Sequence, residues 1–271
     1  MRVVTDARGL GPLRGCVFVP TMGALHEGHL ALIRAARAGG GGPVVVSVFV
    51  NPTQFNDPKD LERYPRTLEA DVAGCERAGA DAVFAPGLEV MYPPREVVAV
   101  PRLPRVATEP GLEDRLRPGH FAGVCQVVKR LFDLTRPARA YFGEKDWQQL
   151  RAISAMVEQE RMGIVIVGVP TVREADGLAM SSRNVFLKGD ERVRARGLSE
   201  ALCRAAGLGS VGEAEAEMGR VLAERGLNVE YAVVRDAATL ERYEAGRPGR
   251  ALIAARVGAV RLIDNAAWAG G

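Results

Sequence analysis

The chain has 271 residues, of which 47% are apolar and 25% are charged, and its formal net charge is +3. This length and composition are typical of a soluble globular protein with one large or two modest domains. The small net charge excludes the broad basic surface on which nucleic-acid binding depends, so no nucleic-acid partner is expected.

Neither a signal peptide nor a membrane span is predicted. The N-terminal stretch "MRVVTDARGLGPLRG" lacks the apolar core of a signal peptide, and the apolar run "VVVSVFV" has the length of a strand. The four cysteines are far apart and form no CxxC pair, so no zinc or redox motif is indicated. We therefore expect a cytoplasmic protein with no membrane partner.

Short apolar runs alternate with helical periodicity over the first two thirds of the chain. Strands are predicted over residues 15–20, 43–50, 80–86, 138–146 and 163–172. Helices are predicted over residues 26–39, 68–79, 121–137 and 146–160. Continuous apolar strands separated by helices predict a doubly wound, Rossmann-like α/β fold with a parallel sheet. The dinucleotide fingerprint GxGxxG does not follow the first strand.

The pattern changes near residue 175. Helices are predicted over residues 190–206 and 212–226, and the segments "NVEYAVVRD", "RALIAARVG" and "AVRLIDN" then look like three strands. We predict a Rossmann-like domain of residues 1–175 and a smaller α+β C-terminal domain of residues 176–271.

The segment "PTMGALHEGHL" contains two of the three histidines of the chain, His26 and His29. It follows a predicted strand and opens a predicted helix, where N–H groups and the helix dipole favour an anion such as phosphate. Imidazoles at i and i+3 share one face of a helical turn and can offset charge on a phosphate. The alternative is a pair of histidines that only cap the helix.

The segment "FGEKDWQQL" has the same layout of strand end, glycine, charged loop and helix start. Lys145 is a point charge suited to phosphate, and Asp146 can cap the following helix. An ordinary turn with a solvated Glu144–Lys145 pair is the alternative.

A third polar segment, "READGLAMSSRN", follows the last apolar strand. Ser181, Ser182 and Arg183 combine two hydroxyl donors with a guanidinium fork, which suits a phosphate. A polar loop between domains would explain the same composition.

Neutral amides follow the second strand in "VNPTQFN". Asn51 and Gln54 can orient a small polar substrate, although Asx-turn chemistry around Pro52 is an equal alternative. In "RPGHFAGV", Arg117 is a candidate partner for a carboxylate or phosphate, whereas His120 fits a helix cap better than catalysis.

The combination of an HxGH after the first strand and an MSSR loop after a late strand resembles the HIGH and KMSKS signatures of the nucleotidyltransferases. Six blocks in order resemble one member of that superfamily, the pantoate–β-alanine ligase family. The blocks are "PTMGALHEGHLALI", "VFVNPTQF", "YPRTLEAD", "GHFAGV", "YFGEKDWQQL" and "VREADGLAMSSRN". They span residues 17 to 187, and the C-terminal domain resembles the family more weakly.

The resemblance implies a two-step reaction. ATP and pantoate give pantoyl adenylate and pyrophosphate, and the amine of β-alanine then attacks the adenylate and releases AMP. Magnesium would accompany the ATP phosphates, and a homodimer is implied. A smaller C-terminal domain would serve as a lid that excludes water from the adenylate.

The resemblance also assigns site residues. His29 matches the family's proton donor, and His26 and Lys145 would stabilise the phosphates. The implied ATP site comprises Met22, Gly23, Ala24, Leu25, His26, Glu27, Gly28, His29, Gly143, Glu144, Lys145, Asp146, Val172, Met180, Ser181, Ser182 and Arg183.

The implied acid site contains Gln54, for pantoate and β-alanine, and Gln149, for pantoate. Asn51 would assist them, and Tyr64 and Arg117 would lie on the rim. Some relatives carry a run of acidic residues after "YPRT", whereas here Ala70 interrupts it. The interruption puts a protein ligand of magnesium in doubt; Asp71 is one candidate, and phosphates and water can hold most of the ion.

Two other functions compete with this interpretation. A different nucleotidyltransferase would have no reason to carry both "VNPTQF" and "DWQQ". A nucleotide- or RNA-binding protein without enzymatic activity would not need both histidines, Lys145 and the serine pair, and the low charge argues against RNA.

Overall fold

The computed structural model describes residues 1–56 and 58–270, and within that part the chain forms two compact units. The N-terminal unit comprises Met1–Glu144 and Gln149–Pro170. The C-terminal unit comprises the chain from Thr171 onward together with the short segment Lys145–Gln148. Lys145 therefore belongs with the C-terminal unit, although strands of the N-terminal unit precede and follow it in sequence.

A six-stranded parallel sheet forms the centre of the N-terminal unit, with the strand order β1-β4-β3-β2-β5-β6. Its strands are β1 (Arg2–Val4), β2 (Val17–Thr21), β3 (Val44–Val48), β4 (Ala82–Phe84), β5 (Arg139–Gly143) and β6 (Val165–Val169). Val17, Phe18 and Val19 in β2 are completely buried, as are Val45 and Val46 in β3. Continuous burial of this kind is what a sheet covered on both faces requires.

Helices connect these strands in the pattern of a doubly wound fold. They are α1 (Glu27–Gly39), α2 (Pro58–Arg63), α3 (Leu68–Arg77), α4 (Leu88–Met91), α5 (Glu113–Leu116), α6 (His120–Thr135) and α7 (Trp147–Gln159). A short 3-10 helix, Pro52–Gln54, follows β3. The predicted α/β class is confirmed.

The strand order places a topological switch point between β2 and β5. From β2 the chain continues to β3 and β4 on one side, whereas β5 and β6 lie on the other side. Ligands of open α/β sheets bind at the carboxyl ends of the strands beside such a point. The "PTMGALHEGHL" segment begins at the carboxyl end of β2, so the topology puts it where a ligand is expected.

The C-terminal unit packs helices against a three-stranded antiparallel sheet with the order β7-β8-β9. Its elements are α8 (Asp190–Ala195), α9 (Gly197–Ala205), α10 (Val211–Glu224), β7 (Asn228–Asp236), β8 (Gly249–Val257) and β9 (Val260–Trp268). Leu198, Leu202, Met218 and Leu222 of the helices share a core with Ile253 of β8. This is the α+β arrangement that the sequence predicted.

The structure differs from the sequence-based prediction at several places: α2, α4 and α5 were not predicted, and the strand predicted over 138–146 ends at Gly143. β1 was not predicted, because a strand of three residues is too short to show a period. The helix predicted over 190–206 is divided into α8 and α9. A Cβ atom at Gly197, the first residue of α9, would lie 2.8 Å from Cγ of Arg225, so glycine permits this close approach of α9 to the end of α10.

Candidate active site

The two histidines of the HxGH segment lie at the start of α1. His26 is the extended N-cap residue, and its backbone N–H donates to Nδ1 of His29 at 3.3 Å. The two imidazole rings have their centroids 4.1 Å apart. Since Nδ1 of His29 accepts this bond, a neutral His29 carries its proton on Nε2. The His29 ring therefore caps the helix by accepting the His26 N–H, and a neutral His29 presents an Nε2–H donor.

Asp71 of α3 holds the loop between β2 and α1. Its Oδ2 accepts the N–H of Ala24 at 3.1 Å and its Oδ1 accepts the N–H of Leu25 at 2.8 Å, while the Thr67 hydroxyl donates to Oδ2 at 3.2 Å. Only 2% of Asp71 is exposed. Both carboxylate oxygens are thus engaged with the loop that leads to the histidines.

The loop needs this support because its backbone is unusual. Gly23 has φ of 80° and Ala24 has φ of 50°, both in the left-handed region. A Cβ atom at Gly23 would lie 2.9 Å from Oδ2 of Asp71, so glycine is required for conformation and for space. An alanine at φ of 50° costs roughly 1 kcal/mol or more, which the two hydrogen bonds from Asp71 help to offset.

Asn51 and Gln54 form an amide cluster after β3. The side-chain Nδ2 of Asn51 donates to Oε1 of Gln54 and to the carbonyl of Gly123, both at 3.2 Å. Nε2 of Gln54 lies 2.8 Å from Sδ of Met22 in the HxGH loop. The structure therefore brings Gln54, predicted to bind the acid, into contact with the loop predicted to bind ATP.

Three residues outside the predicted site hold this amide cluster. The Tyr92 hydroxyl donates to Oδ1 of Asn51 at 2.8 Å, and burial raises the pKa of Tyr92, which keeps the phenol neutral. Nδ1 of His120, the first residue of α6, lies 3.0 Å from the Gln54 carbonyl. A Cβ atom at Gly123 would lie 2.4 Å from the Thr53 carbonyl, so only glycine allows α6 to approach the 3-10 helix this closely.

His120 and Gly123 belong to the block "GHFAGV", which the sequence marked as part of the family resemblance and, at His120, as a helix cap. His120 does begin α6, but its ring contacts the Gln54 carbonyl, and the N-cap residue of that helix is Gly119. Tyr92 carried no signal in the sequence, because it lies 41 positions from Asn51 and no local pattern marks the contact.

Lys145 lies in the C-terminal unit. Its side chain is 19% exposed, and Nζ lies 3.9 Å from Oδ1 of Asp146. The backbone carbonyl of Lys145 accepts a 2.8 Å hydrogen bond from Nδ2 of Asn265 in β9. Nearby in the same segment, Trp147 donates its indole N–H to the Ala237 carbonyl at 2.9 Å.

The MSSR loop of the same unit leaves a tight hairpin. Met180 N–H donates to the Val172 carbonyl at 2.9 Å, and Gly177 forms the turn with φ of 89°. Ser181 is the N-cap of the 3-10 helix Ser182–Phe186, and its Oγ accepts the Arg183 N–H at 3.2 Å. Ser182 is half-buried, and Arg183 is exposed.

The residues predicted for the site are therefore distributed over both units. Met22 to His29, Asn51, Gln54, Gly143, Glu144 and Gln149 lie in the N-terminal unit, as do the predicted rim residues Tyr64 and Arg117. Lys145, Asp146, Val172 and Met180 to Arg183 lie in the C-terminal unit. Arg117 pairs with Glu113 at 3.7 Å, and Tyr64 packs edge-on against Phe55.

The described part of the chain contains no group of three or more histidine, cysteine, aspartate or glutamate side chains that could hold a metal ion. Both oxygens of Asp71 already accept backbone N–H groups. The described residues therefore do not form a protein cage for magnesium. A role for Asp71 as a magnesium ligand stays a prediction from the sequence.

Three of the four cysteines are poor candidates for nucleophilic or redox chemistry. Burial raises the pKa of Cys16, Cys75 and Cys125 to about 12, so these thiols stay protonated and are poor nucleophiles. Among the helices of the described residues, none is long and apolar enough to cross a membrane.

The HxGH loop at the carboxyl end of β2 thus contacts the amide cluster after β3 through Met22 and Gln54. The family model described as pantoate-beta-alanine ligase matches residues 4–267. The chain belongs to the pantoate–β-alanine ligase family. It is therefore an enzyme of the ATP-dependent ligase class.

Relatives of this ligase family are similar over nearly the whole chain. The pantothenate synthetase of Rubrobacter xylanophilus is 53% identical, over 96% of this chain and 92% of the relative. That of Nocardioides sp. is 49% identical, over 97% of this chain and 81% of the relative.

Solved structures of the ligase family share the fold. The pantothenate synthetase of Thermus thermophilus superposes with a TM-score of 0.89 at 44% identity, covering 98% of this chain and 99% of the other. The pantoate-beta-alanine ligase of Francisella tularensis, complexed with beta-gamma ATP and beta-alanine, has a TM-score of 0.79 at 32% identity, covering 98% and 97%.

Proposed function

We propose that this chain condenses pantoate with β-alanine to give pantothenate, AMP and pyrophosphate, with pantoyl adenylate as the intermediate. A pantoate carboxylate oxygen attacks the α-phosphorus of ATP, and the bond from that phosphorus to the pyrophosphate oxygen breaks. The β-alanine nitrogen then attacks the acyl carbon, loses a proton, and displaces AMP. The observation that carries the proposal is the contact of Gln54 with the HxGH loop, in a chain of this ligase family.

His26 and His29 act on the phosphates in this proposal. Negative charge accumulates on the α-phosphate and on the leaving pyrophosphate as the carboxylate attacks. The Nε2–H of His29, set by the bond from His26 N–H to Nδ1, is a donor held in place before the reaction begins. Donors that need no reorganisation at the reacting centre supply a large share of the stabilisation in such transition states.

Gln54 and Gln149 select the acid, assisted by Asn51. The Oε1 of Gln54 accepts from Asn51, which directs Nε2–H away from the amide cluster and toward the HxGH loop. A carboxylate or hydroxyl oxygen of pantoate is the natural acceptor for this donor. Tyr64 and Arg117 are proposed on the rim, and the β-alanine role of Gln54 rests on the family resemblance.

Lys145, Ser181, Ser182 and Arg183 supply the donors and charges that bind the ATP phosphates. A lysine ammonium, a guanidinium fork and two hydroxyls are together suited to several phosphate oxygens. Magnesium is proposed to arrive with ATP, held by phosphate and water oxygens. Closure of the C-terminal unit as a lid, a homodimer and a cytoplasmic location remain predictions from the sequence and the family.

An isotope experiment tests the adenylate route. Pantoate labelled with ¹⁸O in its carboxylate should transfer one ¹⁸O atom to AMP, because the attacking oxygen stays on phosphorus when β-alanine cleaves the acyl–oxygen bond. Release of ADP, or of unlabelled AMP, would refute an acyl adenylate. Turnover of other short hydroxy acids at rates equal to pantoate would instead favour a different transferase of this superfamily.

A further inference from the structure

Two adjacent residues of β9, Asp264 and Asn265, connect to both phosphate-binding segments of the C-terminal unit. Only 2% of Asp264 and 3% of Asn265 is exposed. Polar side chains buried to this extent destabilise a fold unless they are hydrogen-bonded, so their partners indicate what they hold. One side chain contacts the Lys145 segment and the other contacts the hairpin that leads to the MSSR loop.

Asn265 holds the backbone of Lys145. Its Nδ2 donates to the Lys145 carbonyl at 2.8 Å, and its Oδ1 accepts from Nε of Arg250 at 2.7 Å. The guanidinium of Arg250, which is 7% exposed, lies 3.7 Å from the centre of the Trp147 ring. The segment thus receives a hydrogen bond from Asn265 at Lys145 and a cation–π contact from Arg250 at Trp147, and a further hydrogen bond joins Arg250 to Asn265.

Asp264 holds the hairpin that leads to the MSSR loop. Its two carboxylate oxygens accept from Nη1 and Nη2 of Arg173 at 2.7 and 3.0 Å. Nη1 of Arg173 also donates to the carbonyl of Gly177 in the turn, at 3.1 Å. Arg173 pairs with Ala179 across the hairpin, so the position of Arg173 sets where the chain enters Met180 and the serines.

Asp264 and Asn265 are also hydrogen-bonded to each other. Oδ1 of Asp264 accepts the backbone N–H of Asn265 at 2.8 Å, so a shift of one side chain is transmitted to the other. A bidentate guanidinium–carboxylate pair and an amide bonded at both its nitrogen and its oxygen have few alternative geometries. Together, these two residues of β9 fix the position of the Lys145 backbone and of the hairpin that leads to the MSSR loop.

We propose that Asp264 and Asn265 are positioning residues that hold Lys145 and the MSSR loop in register, so that both contact the same triphosphate. This inference rests on the proposed function of Lys145 and the serine pair in ATP binding. Neither residue touches the substrate in this role. Their effect on catalysis is indirect, through the main chain of Lys145 and through Arg173.

The first test is a double-mutant cycle between Asn265→Asp and Lys145→Ala. Asn265→Asp keeps the shape and the Oδ1 acceptor for Arg250 but places an oxygen against the Lys145 carbonyl. Lys145→Ala removes the ammonium and keeps that carbonyl. The measurement is the single-turnover rate of pantoyl-adenylate formation from radiolabelled ATP and pantoate. Asn228→Asp, an exposed position in the same sheet, is the charge-matched control.

We expect Asn265→Asp to slow adenylate formation about 10- to 100-fold in the wild-type background, as is usual when a group that orients a catalytic side chain is lost. In the Lys145→Ala background the same change should cost less than about twofold, because the side chain that it positions is gone. Asn228→Asp should retain the wild-type rate.

Three results would overturn the inference. They are a near-wild-type rate for Asn265→Asp, an equal loss in both backgrounds, and full activity of Lys145→Ala. An equal loss would mean that Asn265 acts only through stability. Failure of the wild-type protein to form any pantoyl adenylate would instead refute the proposed function, so the two failures are distinguishable.

The second test addresses Asp264 without depending on Lys145. Asp264→Asn keeps the shape but weakens the pairing with Arg173, and the exposed Asp190→Asn is its control. We expect KM for ATP to rise about tenfold and KM for pantoate to stay within about twofold. Lost folding alone would lower kcat per total protein and leave both KM values unchanged, and that result would overturn the role of Asp264.

Discussion

At His29, one hydrogen bond determines which nitrogen of the neutral imidazole carries the proton. The sequence places His29 one helical turn after His26, and both capping and phosphate binding fit that spacing. The structure shows the capping role, since the Nδ1 of His29 accepts the His26 N–H at 3.3 Å, and a neutral His29 then carries its proton on Nε2. Capping uses Nδ1, and the donation to phosphate that we propose would use Nε2 of the same ring.

Substitutions that mimic each nitrogen separately should resolve these two roles. In His29→Asn an amide oxygen replaces Nδ1, so the cap survives and the distal donor is lost. In His29→Gln an amide N–H can replace Nε2–H. We expect adenylate formation to fall about 100- to 1,000-fold in His29→Asn with little change in melting temperature, and clearly less in His29→Gln. Equal rates in the two variants would contradict the assignment of the donor to Nε2.

Asp71 offers a second prediction at this scale, because its two oxygens bind the N–H groups of Ala24 and Leu25. Asp71→Asn places an amide N–H against one of these donors. We expect a loss of about 1 to 3 kcal/mol in the free energy of unfolding and slower adenylate formation, with an unchanged magnesium midpoint.

The control for Asp71→Asn is Asp81→Asn in the same unit. Asp81 also accepts a backbone N–H, that of Val44, but at the opposite end of the sheet. This variant should keep adenylate formation. A magnesium titration whose midpoint moves to higher concentration only in Asp71→Asn would support the metal role suggested by the sequence and contradict a purely loop-bracing one.

At the scale of elements, the position of α6 against the 3-10 helix determines the amide cluster. A Cβ atom at Gly123 would lie 2.4 Å from the Thr53 carbonyl, whereas a Cβ atom at Gly219 in α10 would meet nothing within 4 Å. Both glycines lie inside helices, and we expect substitution by alanine to change the stability of the protein in opposite directions at the two positions.

Gly123→Ala should destabilise the protein by about 1 to 3 kcal/mol, since α6 must move away from the 3-10 helix. It should also raise KM for pantoate, because Asn51 donates to the Gly123 carbonyl and to Gln54. Gly219→Ala should stabilise by about 0.5 to 1 kcal/mol. Urea unfolding and steady-state kinetics check both. A Gly123→Ala variant with unchanged stability would show that α6 adjusts freely.

Element positions were largely predictable, because periodicity reports which face of a helix or strand is buried. The helix predicted over 68–79 is α3 (Leu68–Arg77), and the strand predicted over 163–172 contains β6 (Val165–Val169). β1 was missed because its three residues pair with β4, a partner about eighty residues away, and no local pattern marks that contact.

At the scale of the whole molecule, tryptophan fluorescence can follow the unfolding of one of the two units. Both tryptophans, Trp147 and Trp268, lie in the C-terminal unit. Tryptophan fluorescence therefore reports on that unit. Trp268 is buried against Tyr243, with ring centroids 5.0 Å apart, so its emission should change when the unit unfolds.

Carboxylates of the C-terminal unit predict how its stability depends on pH. Burial raises the pKa of Glu174, but hydrogen bonds from Arg192 and Asn184 outweigh burial and the net pKa is lowered. Burial likewise raises the pKa of Asp236, while hydrogen bonds from the backbone at Thr239 and Ala238 bring it below its usual value. A carboxyl group with a lowered folded-state pKa stabilises at pH above its unfolded-state value and loses that contribution as the pH falls.

We therefore expect the fluorescence melting temperature to decline as the pH falls below about 4.5, the ordinary value for a glutamate. Glu174→Gln should flatten part of this decline, and the exposed Glu244→Gln should leave it unchanged. A melting temperature that is constant down to about pH 3 would contradict the role of these ion pairs.

The sequence by itself determined the fold class, the strand-end location of the HxGH segment and the family, because these depend on local periodicity and on short motifs. Only the tertiary structure decided what holds those segments. Asp71, Tyr92 and the pair Asp264–Asn265 act on residues 41 to about 120 positions away in sequence. Nothing in a local pattern encodes such contacts, because they arise when buried polar groups find partners in the folded chain.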